Sequence, residues 1–399
     1  MKILMICKYP PIQGGVSAEC YWTAQFLSEL NHEVRVLTNA NEVESEYRIN
    51  LQSEDKELLS GFKKDNSIKV ISTKKDENHL FIPQVNPTVS KLLGLGLDEI
   101  RNEKPDFIWS SYLEPYGVVA YLLSKITGVP YTFRHAGSDI GRLMLTGQLE
   151  SIHQEVLRNA SLIMTRESHH ERFTKLGISK DNLIDSIPTR LQPQLFYPSK
   201  LPTNQELILG VYGKTGKSKG SGALVEALSL LKKKDSKVKV RAHWGGKHLP
   251  RYRNKVRKLG LEDTIQINGF IPHWRIPDFI RSCHAILFLE NCFSISFHQP
   301  LVPLEALSCG RPIITTEEIA NKPLYRELLV NNRNAFVIEG KVTAKSVAES
   351  IKKAEKSLTL NEGEQTFATP KLGKNKIHMR IRMYELLQKI KSRTKKEET

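Results

Sequence analysis

Three lysines on one glycine-bearing loop are the first residues in this sequence whose type and spacing could do chemistry. Lys214, Lys217 and Lys219 lie between Gly213 and Gly220. The apolar run Leu207-Ile208-Leu209-Gly210-Val211-Tyr212 precedes them, and a segment with Leu224, Leu228 and Leu231 at helical spacing follows. A loop so placed between strand and helix offers backbone amides and ammonium groups together, which is what phosphate oxygens require. The plainer alternative is that the lysines solvate a turn. Gly216-Lys217-Ser218 resembles part of a P-loop, but the glycine needed five positions before Gly216 is Val211, so the P-loop spacing fails.

Two further constellations stand at the ends of predicted strands. Around Phe297-His298-Gln299-Pro300-Leu301-Val302-Pro303-Leu304-Glu305 the pattern predicts a helix that begins near Leu301 and ends before Gly310. Its first turn would present unsatisfied amides and the positive end of the helix dipole to a phosphate, with one donor lost at Pro300. Arg134-His135-Ala136-Gly137-Ser138-Asp139 follows the predicted strand Tyr131-Thr132-Phe133. A lone histidine is usually a core or surface residue; Arg134 and Asp139 flanking His135 at a strand end favour a functional one. Gly14 and Gly15 let backbone approach a ligand closely, or simply turn a loop into a helix.

The elements that must position these residues form the same unit twice. Lys2 to Cys7 reads as a strand, Lys8 to Gly15 as a loop, and Ser17 to Leu30 as a helix with Trp22, Phe26, Leu27 and Leu30 on its apolar face. Strands follow at 34–37, 68–71, 107–109 and 131–133, with a polar stretch from Asn39 to Asn66 holding a loop and a helix, and a second helix from Tyr116 to Lys125. Prolines 188, 193, 198 and 202 mark a boundary, after which strands recur at 207–212, 238–242, 265–267, 285–289 and 312–315. Such alternation predicts two doubly wound parallel sheets covered by helices. At 399 residues the chain fits two domains of about 200 residues each. Ligands of such sheets sit beyond the carboxyl ends of the strands, which directs attention to the loops after Cys7, Phe133, Tyr212, Trp244 and Leu289.

Taken in order, Met1 to Ser17 with Gly14-Gly15-Val16, Tyr131 to Asp139, Pro188 to Pro198, Gly213 to Gly220, Asn268-Gly269 and Leu304 to Thr316 resemble the retaining GT-B glycosyltransferases of family 4, also called glycosyl transferases group 1. The resemblance implies an α/β GT-B fold of two facing Rossmann-like domains: an acceptor-binding domain over 1–195, a nucleotide-sugar-binding domain over 196–370, and a helix with a basic tail over 371–399 that crosses back to the first domain. It implies catalysis in the cleft between the domains. Lys214 and Lys219 would hold the donor diphosphate and stabilise it as it leaves, and His135 would lie near the reacting sugar. Arg134 and Asp139 would face the acceptor; Gly14, Gly15, His298, Leu301, Val302 and Glu305 would join the lysines around the donor. Family members carry two glutamates spaced E-x7-E, the second on the nucleotide ribose. Glu305 matches the second, whereas Phe297 stands where the first would be, with His298 or Glu290 as candidates to supply its contact. As a ribose ligand Glu305 would be needed for donor binding and dispensable for folding.

The implied reaction moves a hexose from a UDP- or GDP-linked sugar to a glycan, a lipid-linked or another small acceptor, with front-face attack and no protein nucleophile. No D-x-D occurs in the chain, so neither a bridging metal nor another cofactor is expected. A sugar-nucleotide epimerase of the same fold and a catalytically silent nucleotide-sugar-binding relative are the alternatives. A net charge of +16 favours an anionic partner, but the sequence has no zinc spacing, RRM signature or aromatic-basic interleaving, which argues against nucleic acid. The absence of a long apolar run and of a signal-peptide pattern predicts a cytoplasmic protein, and Cys7, Cys20, Cys283, Cys292 and Cys309 have no metal-ligand spacing. Lys376 to Lys391 predicts a helix with Ile377, Ile381, Tyr384, Leu387 and Ile390 on one face. That stripe either packs as core on the first domain or rests on an anionic membrane at the inner face.

Overall fold

In the computed structural model the described residues are 1–60, 68–75, 86–187, 189, 191–203, 206–234, 236–295, 298–359 and 376–397. The chain divides into two compact units. One comprises residues 1–44, 51–190 and 375–399, the other residues 45–50 and 191–374.

The first unit is built on a parallel sheet of seven strands: β1 (Lys2–Ile6), β2 (Glu33–Thr38), β3 (Lys69–Ser72), β4 (Phe107–Ser111), β5 (Tyr131–Arg134), β6 (Leu162–Thr165) and β7 (Leu183–Asp185). Their order is β3-β2-β1-β4-β5-β6-β7. The runs Ile3 to Ile6 and Phe107 to Ser111 are buried on both faces, as the central strands of a sheet covered on both sides must be. β1 lies between β2 and β4, so the chain winds outward first to one side and then to the other, and the crevice between β1 and β4 is a topological switch point.

The helix Gly15–Glu29 follows β1 and is buried from Ser17 through Ser28, polar Glu19 and Gln25 included. The one-sided stripe expected there is therefore only part of what it buries. The last helix, Lys376–Glu397, belongs to this unit, and its Arg393 donates to the carbonyl of Ser161 at 2.8 Å. Its buried residues are Met379, Met383, Leu386, Leu387 and Ile390. The predicted stripe is thus split: Leu387 and Ile390 are buried, Ile381 and Tyr384 are 50% and 63% exposed, and the side chain of Ile377 lies outside the described residues. Among the described residues no helix is long and apolar enough to cross a membrane.

The second unit repeats the plan with six parallel strands: β8 (Ile208–Lys214), β9 (Lys239–Gly245), β10 (Ile265–Asn268), β11 (Ala285–Phe288), β12 (Ile313–Thr316) and β13 (Ala335–Ile338). Their order is β10-β9-β8-β11-β12-β13, which puts its switch point between β8 and β11. Leu224, Leu228 and Leu231 of the helix Ser221–Lys232 pack into the core under β8 and β9, as their spacing predicts. Residues 45–50, which interrupt the first unit in sequence, join this one; the N–H of Gly246 donates to the carbonyl of Glu46 at 2.8 Å.

Candidate donor and acceptor sites at the two switch points

At the switch point of the second unit, the loop after β8 and the loop after β11 are bonded together. The N–H of Asn291 donates to the carbonyl of Ser218 at 2.9 Å. The close approach depends on Gly220, which has φ +66° and caps the following helix; a Cβ there would lie 2.6 Å from Leu289 Cβ and 2.7 Å from Leu289 O. Across this junction the Lys219 ammonium donates to the carboxylate of Glu290. Glu290 is buried, its backbone carbonyl accepts from Thr316 Oγ1 at 2.7 Å, and its other carboxylate oxygen is 3.2 Å from His298 Nε2. Burial pushes its carboxyl upward, but His298 and Lys219 outweigh that and leave it below the ordinary range. Lys219 is thus held by a fixed anion while its side chain remains partly exposed. An ammonium has three donors, so others remain for a ligand.

Lys214 ends β8, exposed, with Nζ 4.9 Å from the centroid of the Tyr47 ring, and Lys217 is exposed on the same loop. Among the described residues no protein acceptor takes the N–H of Lys217 or Ser218. The lysines and amides that the sequence assigned to phosphate therefore do come together at one strand end. The helix expected from Leu301 runs Val302–Ser308, with Leu301 as its N-cap and Pro303 in its first turn. Glu305 is fully buried in that turn and accepts a hydrogen bond from Tyr212 at 2.6 Å. A buried carboxylate bonded to a tyrosine of β8 ties helix to sheet, and its loss leaves a polar partner stranded. His298 likewise has a partner in Glu290. Phe297 lies outside the described residues.

At the switch point of the first unit, Gly14 has φ +135° and caps the helix that begins at Gly15, and a Cβ at Gly14 would meet nothing within 4 Å. Arg134 at the end of β5, His135 on the loop beyond it and Asp139 in the short helix Ser138–Gly141 follow one another but do not bond to one another. Arg134 pairs at 3.1 Å with Glu19, a buried carboxylate that also accepts from Thr189 N and Oγ1 at 3.2 and 2.9 Å. Asp139 is fully buried and accepts the N–H groups of Ala136, Ile140 and Leu113 at 3.0, 3.0 and 3.3 Å. Burial raises its pKa. Its oxygens take part in shaping the loop. His135 Nε2 is 2.6 Å from Thr165 Oγ1, and its ring packs against His169 and Phe173, both at 5.4 Å. Burial first, then the charges of His169, Arg134, Arg166 and Arg172, push its pKa down to about 3, so the imidazole is neutral at pH 7. Sequence reasoning missed Glu19, Thr189, Tyr212, Lys8 and Tyr112 at these crevices. The one signal available was Glu19 itself, an acid among the apolar residues Val16, Ala18, Cys20, Tyr21 and Trp22.

Residues 194–363 match the family model described as glycosyl transferases group 1. Mannosylfructose-phosphate synthase of Agrobacterium fabrum is 24% identical over 152 residues, 33% of this chain and 32% of that protein. A phosphatidylinositol N-acetylglucosaminyltransferase subunit of Arabidopsis thaliana is 21% identical over 326 residues, 79% of this chain and 67% of that one. The matches thus span about a third and two thirds of these relatives. Among solved structures, Anabaena HepE in complex with UDP-glucose has a TM-score of 0.63 at 16% identity, covering 97% of this chain and 99% of HepE. The chain therefore has the two Rossmann-like domains of the GT-B fold, and over residues 194–363 it matches the group 1 glycosyl transferases.

Proposed function

We propose that the chain is a glycosyltransferase that takes a sugar from a UDP- or GDP-linked donor in the cytoplasm and passes it, with retained configuration as in family 4, to a small acceptor. The observation that carries this reading is the Lys219–Glu290–His298 cluster at the β8–β11 switch point, inside the segment that matches the group 1 family. A diphosphate there meets Lys219, the exposed Lys214 and the amides of Lys217 and Ser218, with no reorganisation of buried groups beyond the ammonium. HepE, solved with UDP-glucose, supports a nucleotide sugar as ligand.

In the proposed reaction the acceptor oxygen attacks the anomeric carbon on the face that the diphosphate leaves. The bond from that carbon to the diphosphate oxygen breaks, and the departing oxygen takes the acceptor's proton. Lys214 and Lys219 stabilise the charge that develops on the diphosphate, worth about 1.5–3 kcal/mol per charge-assisted hydrogen bond. Neutral His135 is suited to donate or accept a hydrogen bond to the sugar without adding charge.

The test is product analysis of the purified chain with a panel of UDP- and GDP-sugars, with and without chelator, against sugar, sugar phosphate and lipid acceptors. Acceptor-dependent release of nucleoside diphosphate with a retained glycosidic product, unaffected by chelator, is expected. Interconversion of the donor sugar without any acceptor would replace this reading with an epimerase.

A further inference from the structure

Among the described residues of the first unit, Lys8 is a cation without an oxygen partner. Lys8 follows β1 at the switch point, half-buried, with Nζ 4.3 Å above the centroid of the Tyr112 ring. Among the described residues it forms no hydrogen bond or ion pair. Asp139 lends it only distant charge, because the Asp139 oxygens are taken by the amides of Leu113, Ala136 and Ile140. Glu19 is likewise occupied by Arg134 and Thr189. A desolvated ammonium with unused donors is costly, and an incoming oxygen ligand relieves that cost.

A second observation falls on the same place. Tyr112, the residue under the ammonium, has φ +80° and ψ +131°, a backbone conformation that bulky side chains rarely adopt and that tends to mark ligand sites. Its hydroxyl is 3.1 Å from Ser138 Oγ. Arg142 is exposed, forms no ion pair among the described residues, and lies near enough for its charge to act on that hydroxyl. The Lys8 ammonium and two hydroxyls thus stand at one spot at the carboxyl edge of β1 and β4, with the charge of Arg142 in range, a donor set suited to a tetrahedral, several-oxygen anion.

We propose that Lys8, Arg142, Tyr112 and Ser138 form a recognition point for a phosphate group carried by the acceptor. Calling the ligand an acceptor rests on the glycosyltransferase reading; the anion site itself does not.

The experiment titrates the full chain with inorganic phosphate by calorimetry, comparing the wild type with Lys8→Met, Lys8→Arg and, for the donor loop, Lys214→Gln, each checked by near-ultraviolet circular dichroism. A Lys8-dependent component is expected, weakened at least about tenfold in Lys8→Met, largely restored in Lys8→Arg and retained in Lys214→Gln. Phosphate binding unchanged in a folded Lys8→Met, or no binding by the wild type, overturns the proposal. Vesicles of phosphatidylcholine with phosphatidic acid are then added. Lys8-dependent competition identifies a lipid headgroup as the source of the phosphate, and retention of the free-phosphate signal identifies a soluble phosphate ester. A parallel titration with nucleoside diphosphate separates the two readings: its failure removes the transferase, while the Lys8-dependent phosphate result stands or falls by itself.

Discussion

Gly220→Ala is the substitution whose cost follows most directly from the geometry of the donor loop. At φ +66° an alanine sits in the left-handed region, which costs roughly 1–2 kcal/mol for a residue with a Cβ. The new methyl would also lie 2.6 Å from Leu289 Cβ and 2.7 Å from Leu289 O, neither of which is the far end of a flexible side chain. Relieving such overpacking costs about 1–3 kcal/mol, so the total is roughly 2–5 kcal/mol. With a urea dependence of about 1–3 kcal/mol per molar, the midpoint for the second unit should fall by roughly 1 M or more. Replacing Trp22 and Trp109 by Phe leaves Trp244 and Trp274 as fluorescent reporters of that unit alone. Gly222→Ala is the control, since its Cβ would meet only Tyr252 at 3.8 Å on a helix that alanine favours, and it should stabilise by about 0.5–1 kcal/mol. Because the methyl also parts the loops joined by Asn291 and Ser218, affinity for nucleoside diphosphate should drop in Gly220→Ala. An unchanged urea midpoint for Gly220→Ala would refute the packing argument.

Three other outcomes follow from the same geometry. Lys219→Gln leaves Glu290 buried beside His298 alone and should cost about 3–5 kcal/mol of stability, whereas the double variant Lys219→Gln with Glu290→Gln should recover stability in thermal unfolding but not diphosphate affinity in calorimetry. Tyr212→Phe removes a hydrogen bond to a buried carboxylate and should cost about 1.5–3 kcal/mol in denaturant unfolding. His135 is held neutral by the fold, with its pKa lowered to about 3 from an ordinary value near 6.5. The unfolded chain therefore takes up this proton first as pH falls. The contribution is complete above about pH 6.5 and is lost toward pH 3, at no more than about 1.4 kcal/mol per pH unit and less for a ring partly open to solvent; His135→Asn should flatten that part of the stability profile.

What the sequence made legible was what short-range pattern encodes. The strands that flank glycine-bearing loops, the helix marked by Leu224, Leu228 and Leu231, and the phosphate-suited loop of Lys214 to Lys219 all lie where apolar runs and breakers put them. β6, β7 and β13 have three or four residues each and carry no signal that separates them from loop or buried helix. Residues 45–50 could not be assigned to the second unit, because their bond to Gly246 spans two hundred positions of chain. The same holds for the site. Charge type and loop position pointed to Lys219, but that Glu290 holds it depends on β8 and β11 being neighbours. Glu305 was picked out by motif, but only the structure brings Tyr212 against it. Asp139 was read from its neighbours in sequence as facing the acceptor, and that one of the amides it accepts belongs to Leu113, beyond another strand, appears only in the structure.

The central claim is that the second unit grips the diphosphate of a nucleotide sugar through Lys219 at its switch point. Calorimetric titration of the purified chain with UDP, GDP and the corresponding monophosphates tests it most directly, with Lys214→Gln and the double variant Lys219→Gln with Glu290→Gln alongside. One of the diphosphates should bind at least about tenfold more tightly than its monophosphate, and that preference should shrink in Lys214→Gln and vanish in the folded double variant. Equal binding of mono- and diphosphate, or a preference that survives the loss of Lys219, would contradict the account.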